Sequence, residues 1–326
     1  MSPDPDRTWS PHGLLEMARR HAPGWESADT AQTSALGGGI TNQLFHLQAP
    51  GRPGLVLRRY GPRTEVVIDR RREVEIVRFL AERQMAPPLY GLVEGGRVEG
   101  FLDGHRALVP EDLPHHAPAI GAGLAALHAL PFEDGAPHRL WDRLRRWFAV
   151  AQELRLPEPA REARRGALRL GERAAALEAE IAAIEALGPH PALRPVLAHN
   201  DLLSGNVLLH EATGAVRFID FEYADRSPAA FDLANHLCEY TGFASDFERD
   251  FPRRPTRRAL VAAYLGAEGP QVDDWLDVVD RMVLIDHLFW GVWAVVQAAH
   301  SPIDFDFLRY AELRLGGYDL HQGGLP

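Results

Sequence analysis

Strand signals crowd into the first third of this 326-residue chain, and that uneven distribution limits the folds open to it. From Ser34, the run SALGGGITNQLFHLQ reads as strand, glycine turn, strand. Leu55–Tyr60 is a third strand. Leu89–Val93 and Arg97–Leu102 flank a Glu-Gly-Gly turn as a hairpin. Between them a charged helix is expected over Val66–Gln84, stopped by Pro87 and Pro88. After Gly104 the texture becomes helical, with helices expected over Ala117–Leu130, Trp141–Leu154 and one long Ala/Arg/Glu-rich stretch, Ala160–Leu187. Two short strands, Val207–His210 and Val216–Asp220, interrupt it before helices resume up to Tyr310. Strands first and helices after predict an α+β chain of two lobes. The expected division is a polar lead-in with one short helix (1–33), a small β-rich N-lobe (34–103) and a larger α-rich C-lobe (104–326).

Composition removes several classes of function. The formal net charge is -10, which argues against a nucleic-acid partner. Every basic residue other than histidine is arginine, so a Walker A phosphate loop and Schiff-base chemistry are excluded for want of lysine. The single cysteine, Cys238, rules out an internal disulfide and a cysteine-rich zinc site, and points to a reducing, cytoplasmic setting. The N-terminal residues show no basic region followed by an apolar one, so no signal peptide is expected. The most apolar run, Leu288–Ala299, is interrupted by Gln297 and is too short for a membrane span.

The chemistry concentrates in His199-Asn200-Asp201-Leu202-Leu203-Ser204-Gly205-Asn206. His stands two before Asp and Asn five after it, the spacing of a kinase catalytic loop. An Asp there can accept the proton of an attacking hydroxyl, and an Asn nearby can offer an amide oxygen to a magnesium ion. Strand, turn and strand follow, ending at Ile219-Asp220-Phe221-Glu222. Asp220 and Glu222 point the same way in an extended segment. Two carboxylates and an amide form an oxygen-only set suited to Mg²⁺ carried by nucleotide phosphates. The bland alternative, a turn whose Asp and Asn cap backbone groups, does not explain the two carboxylates at the matching place.

A nucleotide site of this kind also needs a glycine turn, a cation on strand three and a helix carboxylate to hold that cation. Gly37-Gly38-Gly39 supplies the turn. Arg58 or Arg59 can supply the cation, but alternation puts them on opposite faces. Glu73 or Glu75 can supply the carboxylate. On the helix 281–300, Met282, Ile285, Phe289, Val292, Val296 and Ala299 form an apolar core stripe. Asp286, Trp290, Trp293 and Gln297 share another face. Spacing alone leaves the two tryptophans open as large core residues or as the π faces of a cation cage.

Together, HNDLLSGNVLL, RFIDFEYA, AFDLANHLCEY and HLFWGVWAVVQA resemble the choline/ethanolamine kinase family over about residues 34–320. GGGITNQLF resembles its phosphate-loop strand pair, VLRRYG its third strand and IDRRRE the helix that carries its glutamate. The resemblance implies a two-lobed protein-kinase-like fold, related to the aminoglycoside phosphotransferases. It implies an ATP- and Mg²⁺-dependent kinase that phosphorylates the hydroxyl of a small amino alcohol, choline or ethanolamine. Carried over by position, Asp201 would be the catalytic base. Asn206, Asp220 and Glu222 would hold the metal. Gly38, Gly39, Thr41, Asn42 and Arg58 would meet the nucleotide, with Glu73 holding Arg58. Glu239, Trp290, Trp293, Phe305 and Tyr310 would line the amine pocket, in an acidic neighbourhood that includes Asp286 and Asp306. After NHxxE the continuation Tyr240-Thr241-Gly242-Phe243-Ala244, like the stretch Ile303–Tyr310, leans toward ethanolamine kinases.

The competing expectations are a kinase for another amine-bearing alcohol, thiamine or an aminoglycoside, and a non-catalytic kinase-like nucleotide-binding module. The Trp pair argues against a large polar aminoglycoside, and the intact Asp201, Asn206, Asp220 and Glu222 argue against the module. A homodimer is left open.

Overall fold

The computed structural model describes residues 8–37, 41–62, 64–133 and 135–326. The chain divides into two compact units, Met1–Val66 with Val74–His105, and Val67–Glu73 with Arg106–Pro326.

In the first unit, helix α1 (Pro11–His21) starts where Ser10 Oγ accepts a hydrogen bond from Gly13 N at 3.3 Å. Leu14, Leu15, Met17 and Ala18 form its buried side. Strands β1 (Gln32–Leu36), β2 (Asn42–Gln48), β3 (Leu55–Tyr60), β4 (Leu89–Val93) and β5 (Gly96–Gly100) make an antiparallel sheet in the order β1-β2-β3-β5-β4. Trp9, Leu14 and Trp25 pack with Leu47, Leu55, Leu57 and Val98 of that sheet. A lead-in that is polar on average thus contributes two buried tryptophans to a core. Gly61 N donates to Thr41 O at 2.9 Å, and a Cβ at Gly61 would stand 2.2 Å from that oxygen, so the residue after β3 must be glycine.

The charged helix is shorter than its sequence suggests. A single 3₁₀ turn at Thr64–Val66 precedes α2 (Arg70–Ala81). Asp69 Oδ1 accepts from Arg71 N and Arg72 N, each at 3.1 Å, and this cap sets where the helix begins. Strand β6 (His105–Ala107) leads into the rest of the second unit.

That unit is mainly helical: α3 (Leu113–His128), α4 (Leu140–Glu153), α5 (Pro159–Ala167) and α6 (Leu170–Glu185) precede the loop motif. The expected single helix over Ala160–Leu187 is two. Arg169 takes a left-handed φ of 52°, and the break turns both Leu168 and Leu170 inward. Two short strands without an alternating signal were missed: β7 (Pro195–Ala198) pairs antiparallel with β10 (Asp225–Pro228). Strands β8 (Val207–His210) and β9 (Val216–Phe218) form the expected hairpin. Helices α7 (Ala229–Cys238), α8 (Phe247–Asp250), α9 (Arg254–Leu265), α10 (Pro270–His300) and α11 (Phe307–His321) complete the unit. By length and composition α10 could cross a membrane, but 89% of its most apolar window is buried inside the protein, as in a central core helix.

Candidate active site

The loop 199–206 is gripped from one side by α7. Asp232 accepts backbone hydrogen bonds from His199 N and Asn200 N, both at 2.7 Å. His128 Nε2 meets the same carboxylate at 2.9 Å, and burial plus its own partner Tyr264 hold that imidazole in place. One turn on, Asn235 Oδ1 accepts from Leu202 N at 2.7 Å, and His236 Nδ1 lies 2.9 Å from Leu202 O. Three side chains at i, i+3 and i+4 of one helix therefore fix the backbone on both sides of Asp201. The sequence signal was there: polar residues at helical spacing inside an otherwise apolar helix must be buried, and buried polar groups need partners.

The second tie runs to Ile219, the residue after β9. His199 Nε2 is 2.8 Å from Ile219 O, and Ile219 N donates to Asn206 O at 3.0 Å. Asp220 follows directly. Asn200 and Asp220 have φ of 64° and 66°, left-handed conformations that non-glycine residues rarely adopt and that concentrate at functional loops. Asn206 Nδ2 donates to Asp201 O at 2.8 Å, which leaves its amide oxygen as the acceptor end.

Asp201, Asn206 and Glu222 are buried and Asp220 is half-buried. The Asp201 carboxyl is held well above the usual carboxylate range, first by burial and then by the negative charges of Glu239, Asp220, Glu222 and Asp286. No cluster of three or more His, Cys, Asp or Glu side chains in metal-holding geometry exists among the described residues. The candidate donors are instead two carboxylates and one amide. This hard, oxygen-only set beside a crowd of buried negative charge fits Mg²⁺, which keeps several waters and shares substrate phosphates. Glu222 also accepts from Arg70 Nη1 at 3.2 Å, and the same guanidinium nitrogen binds Glu73 at 2.7 Å.

Aromatic side chains gather on the α10 and α11 side. Trp290 and Trp293 pack edge-to-face, their ring centres 5.1 Å apart. Both are 4% exposed, and Tyr310 is 6%. Trp293 Nε1 donates to Tyr223 OH at 2.8 Å, and Tyr223 stands edge-on to Trp290. Trp290 Nε1 is buried without a hydrogen-bond partner among the described residues. Phe305 and half-exposed Phe243 extend the aromatic wall over Tyr310. Tyr223 was not singled out from the sequence, although it directly follows Asp220-Phe221-Glu222. Beside these rings Arg314 binds Glu239 at 3.2 Å and Asp286. Glu239 is pushed up to about 7, chiefly by burial, with Asp286 raising it further and Arg314 opposing both. Asp306 does not join this group: it caps α11 through Arg309 N and pairs with Arg164.

In the first unit, Gly38 and Gly39 lie outside the described residues. Thr41 and Asn42 are buried at the start of β2, Asn42 Nδ2 donating to Thr41 Oγ1 at 3.2 Å. Burial separates the paired alternatives. Arg58 is buried and its Nε meets Glu99 at 3.4 Å, while Arg59 is half-buried near Trp9. Glu73 is 1% exposed whereas Glu75 is exposed. Glu73 and Arg58 belong to different units, and within its own unit Glu73 is engaged by Arg70.

Loop, hairpin and carboxylates of this kind define a kinase-like phosphotransferase fold, and solved structures bear this out. The ethanolamine kinase of Plasmodium vivax superposes with a TM-score of 0.80 at 27% identity, covering 91% of this chain and 84% of that one. A probable ethanolamine kinase of Nematostella vectensis is 32% identical over 87% of this chain and 85% of its own length. A probable choline kinase 3 of Arabidopsis thaliana is 28% identical over 96% and 94%. The family model for choline/ethanolamine kinase matches residues 33–319. The chain belongs to the choline/ethanolamine kinase family, and it is a phosphotransferase with an alcohol as acceptor.

Proposed function

We propose that this protein transfers the γ-phosphoryl group of ATP to the hydroxyl of a small amino alcohol, with ethanolamine preferred to choline. The observation that carries the reading is the aromatic wall of Tyr223, Trp290, Trp293 and Tyr310 beside the buried carboxylate Glu239, in the same unit as Asp201. Rings attract a cation through their faces. A carboxylate adds what a primary ammonium needs and a quaternary one cannot use, an acceptor for N–H. The ethanolamine-like run Tyr240–Ala244 supports the same order.

In this reading Asp201 accepts the proton of the substrate hydroxyl as the oxygen attacks. Glu239 and the rings hold the ammonium end, so that the hydroxyl is presented to Asp201. Arg58, with Thr41 and Asn42, would bind nucleotide phosphates. Asn206, Asp220 and Glu222 would hold Mg²⁺, which when bound neutralises charge on the transferring phosphoryl group.

A coupled ADP-release assay tests this, with MgATP and choline, ethanolamine, thiamine and kanamycin offered in parallel. Ethanolamine and choline should turn over, ethanolamine with the higher kcat/KM. Asp201→Asn should lower kcat by about 10²- to 10⁴-fold. Binding of ATP without turnover of any amine would overturn the reading.

A further inference from the structure

Three charged side chains at the amine pocket are closed off from water together. Arg314 is 1% exposed, Asp286 0% and Glu239 7%. Arg314 donates to Glu239 Oε1 at 3.2 Å through Nη1, and through Nη2 to Asp286 Oδ2 and to Asp286 O, the latter at 3.2 Å. The hydroxyl of Tyr310 lies 3.4 Å from the same Nη1. Asp286 also accepts from Asn235 Nδ2 at 3.0 Å, and Asn235 Oδ1 in turn accepts from Leu202 N at 2.7 Å. A continuous line of hydrogen bonds therefore runs from Glu239 through Arg314, Asp286 and Asn235 to the amide next to Asp201.

From this geometry we infer that Arg314 is a positioning residue for acceptor recognition: it fixes Glu239 toward the pocket, favours its anionic form, and with Asp286 and Asn235 ties the pocket to the catalytic loop. The inference rests on the proposed binding of the ammonium group beside Glu239. Two carboxylates share one guanidinium, so with both carboxylates ionised the trio carries one uncompensated negative charge, the complement of one monovalent ammonium. A buried carboxylate without a fixed cation would instead take up a proton. The groups facing Glu239 are Arg314 and Tyr310 from α11, Asp286 from α10, Asp201 from the catalytic loop and Cys238 at the end of α7. Among them only Arg314 is positive. The bidentate reach of a guanidinium also explains why this position is suited to arginine in particular.

The test uses the full chain and choline, whose charge does not titrate. KM for choline, KM for ATP and kcat are measured from about pH 6 to about pH 9, a span that brackets a carboxyl titrating near neutrality. Each variant's folding is checked by circular dichroism. Arg314→Met should raise KM for choline about tenfold or more, with KM for ATP changed less than about twofold. It should also move the pH at which KM for choline turns upward by about one unit or more. Arg314→Lys should recover part of the loss. In the double variant with Asp286→Asn, Glu239 loses its cation and one like charge together; the pH midpoint should fall back only part of the way toward the wild-type value while KM stays raised, because nothing orients the carboxylate. Should Arg314→Met not fold, this double variant decides. A wild-type KM and midpoint in whichever of the two folds, while Glu239→Gln raises KM, overturns the inference and spares the pocket. An unchanged KM in Glu239→Gln overturns the pocket reading and the inference with it.

Discussion

In the first unit one buried carboxylate, Glu99, is shared by two guanidiniums, Arg97 at 2.8 Å and Arg58 at 3.4 Å. In the second unit one buried guanidinium, Arg314, is shared by two carboxylates, Glu239 and Asp286. The residue types are the same, but the shared group is a carboxylate in one and a guanidinium in the other. Isolated buried charges are costly, so both clusters need internal partners. In the proposed reading Arg58 of the first cluster meets the phosphates of one substrate and Glu239 of the second meets the ammonium of the other.

The contrast can be broken by separate measurements. The largest effect is expected from Glu239→Gln, which removes the anionic partner of a desolvated ammonium. KM for the amine should rise about 30-fold or more, with KM for ATP nearly unchanged; a parallel rise in both would erase the distinction between the clusters. Next comes pH. Glu239 sits at about 7, so its ionised fraction falls as pH drops through that value. KM for choline should be flat at higher pH and rise about tenfold for each unit below the midpoint, a dependence that Glu239→Gln should abolish. A smaller effect is expected on the other side. Arg58→Met should raise KM for ATP about fivefold, by loss of a charge-assisted contact, and leave KM for the amine alone. The smallest belongs to Arg164→Ala. Arg164 binds Asp306 and Glu312 at the surface, with side-chain exposures of 37%, 57% and 30%. Exposed pairs of this kind contribute about 0–1 kcal/mol, so thermal unfolding should shift by a few degrees at most and KM for the amine by less than about twofold.

Local signals were legible because they are short-range. Glycine turns and alternation located β3 and the hairpins, and the His-x-Asp-x4-Asn spacing picked out Asp201 and Asn206, which the structure ties together through Asn206 Nδ2 and Asp201 O. The limits were equally physical. Strands β7 and β10 are four residues long, and the Asp-Arg-Ser-Pro run of β10 carries no alternation to read. The break at Arg169 depends on burying Leu168 and Leu170 together, a demand made by neighbouring helices rather than by propensity. On sequence Asp306 groups with Glu239 and Asp286 as an acidic neighbourhood for the acceptor, yet a helix start needed its side chain for a cap.

By itself the sequence determined the α+β class from its strand and helix texture, and the fold family and reaction type from motifs that resemble the choline/ethanolamine kinases. Only the tertiary structure decided which of Arg58 and Arg59, and which of Glu73 and Glu75, is buried. It alone brought Tyr223 against Trp293 and placed Arg314 between Glu239 and Asp286. Those residues are 70, 75 and 28 positions apart in the chain. Charge balance in a buried site is a property of which groups are excluded from water together, and only packing determines that.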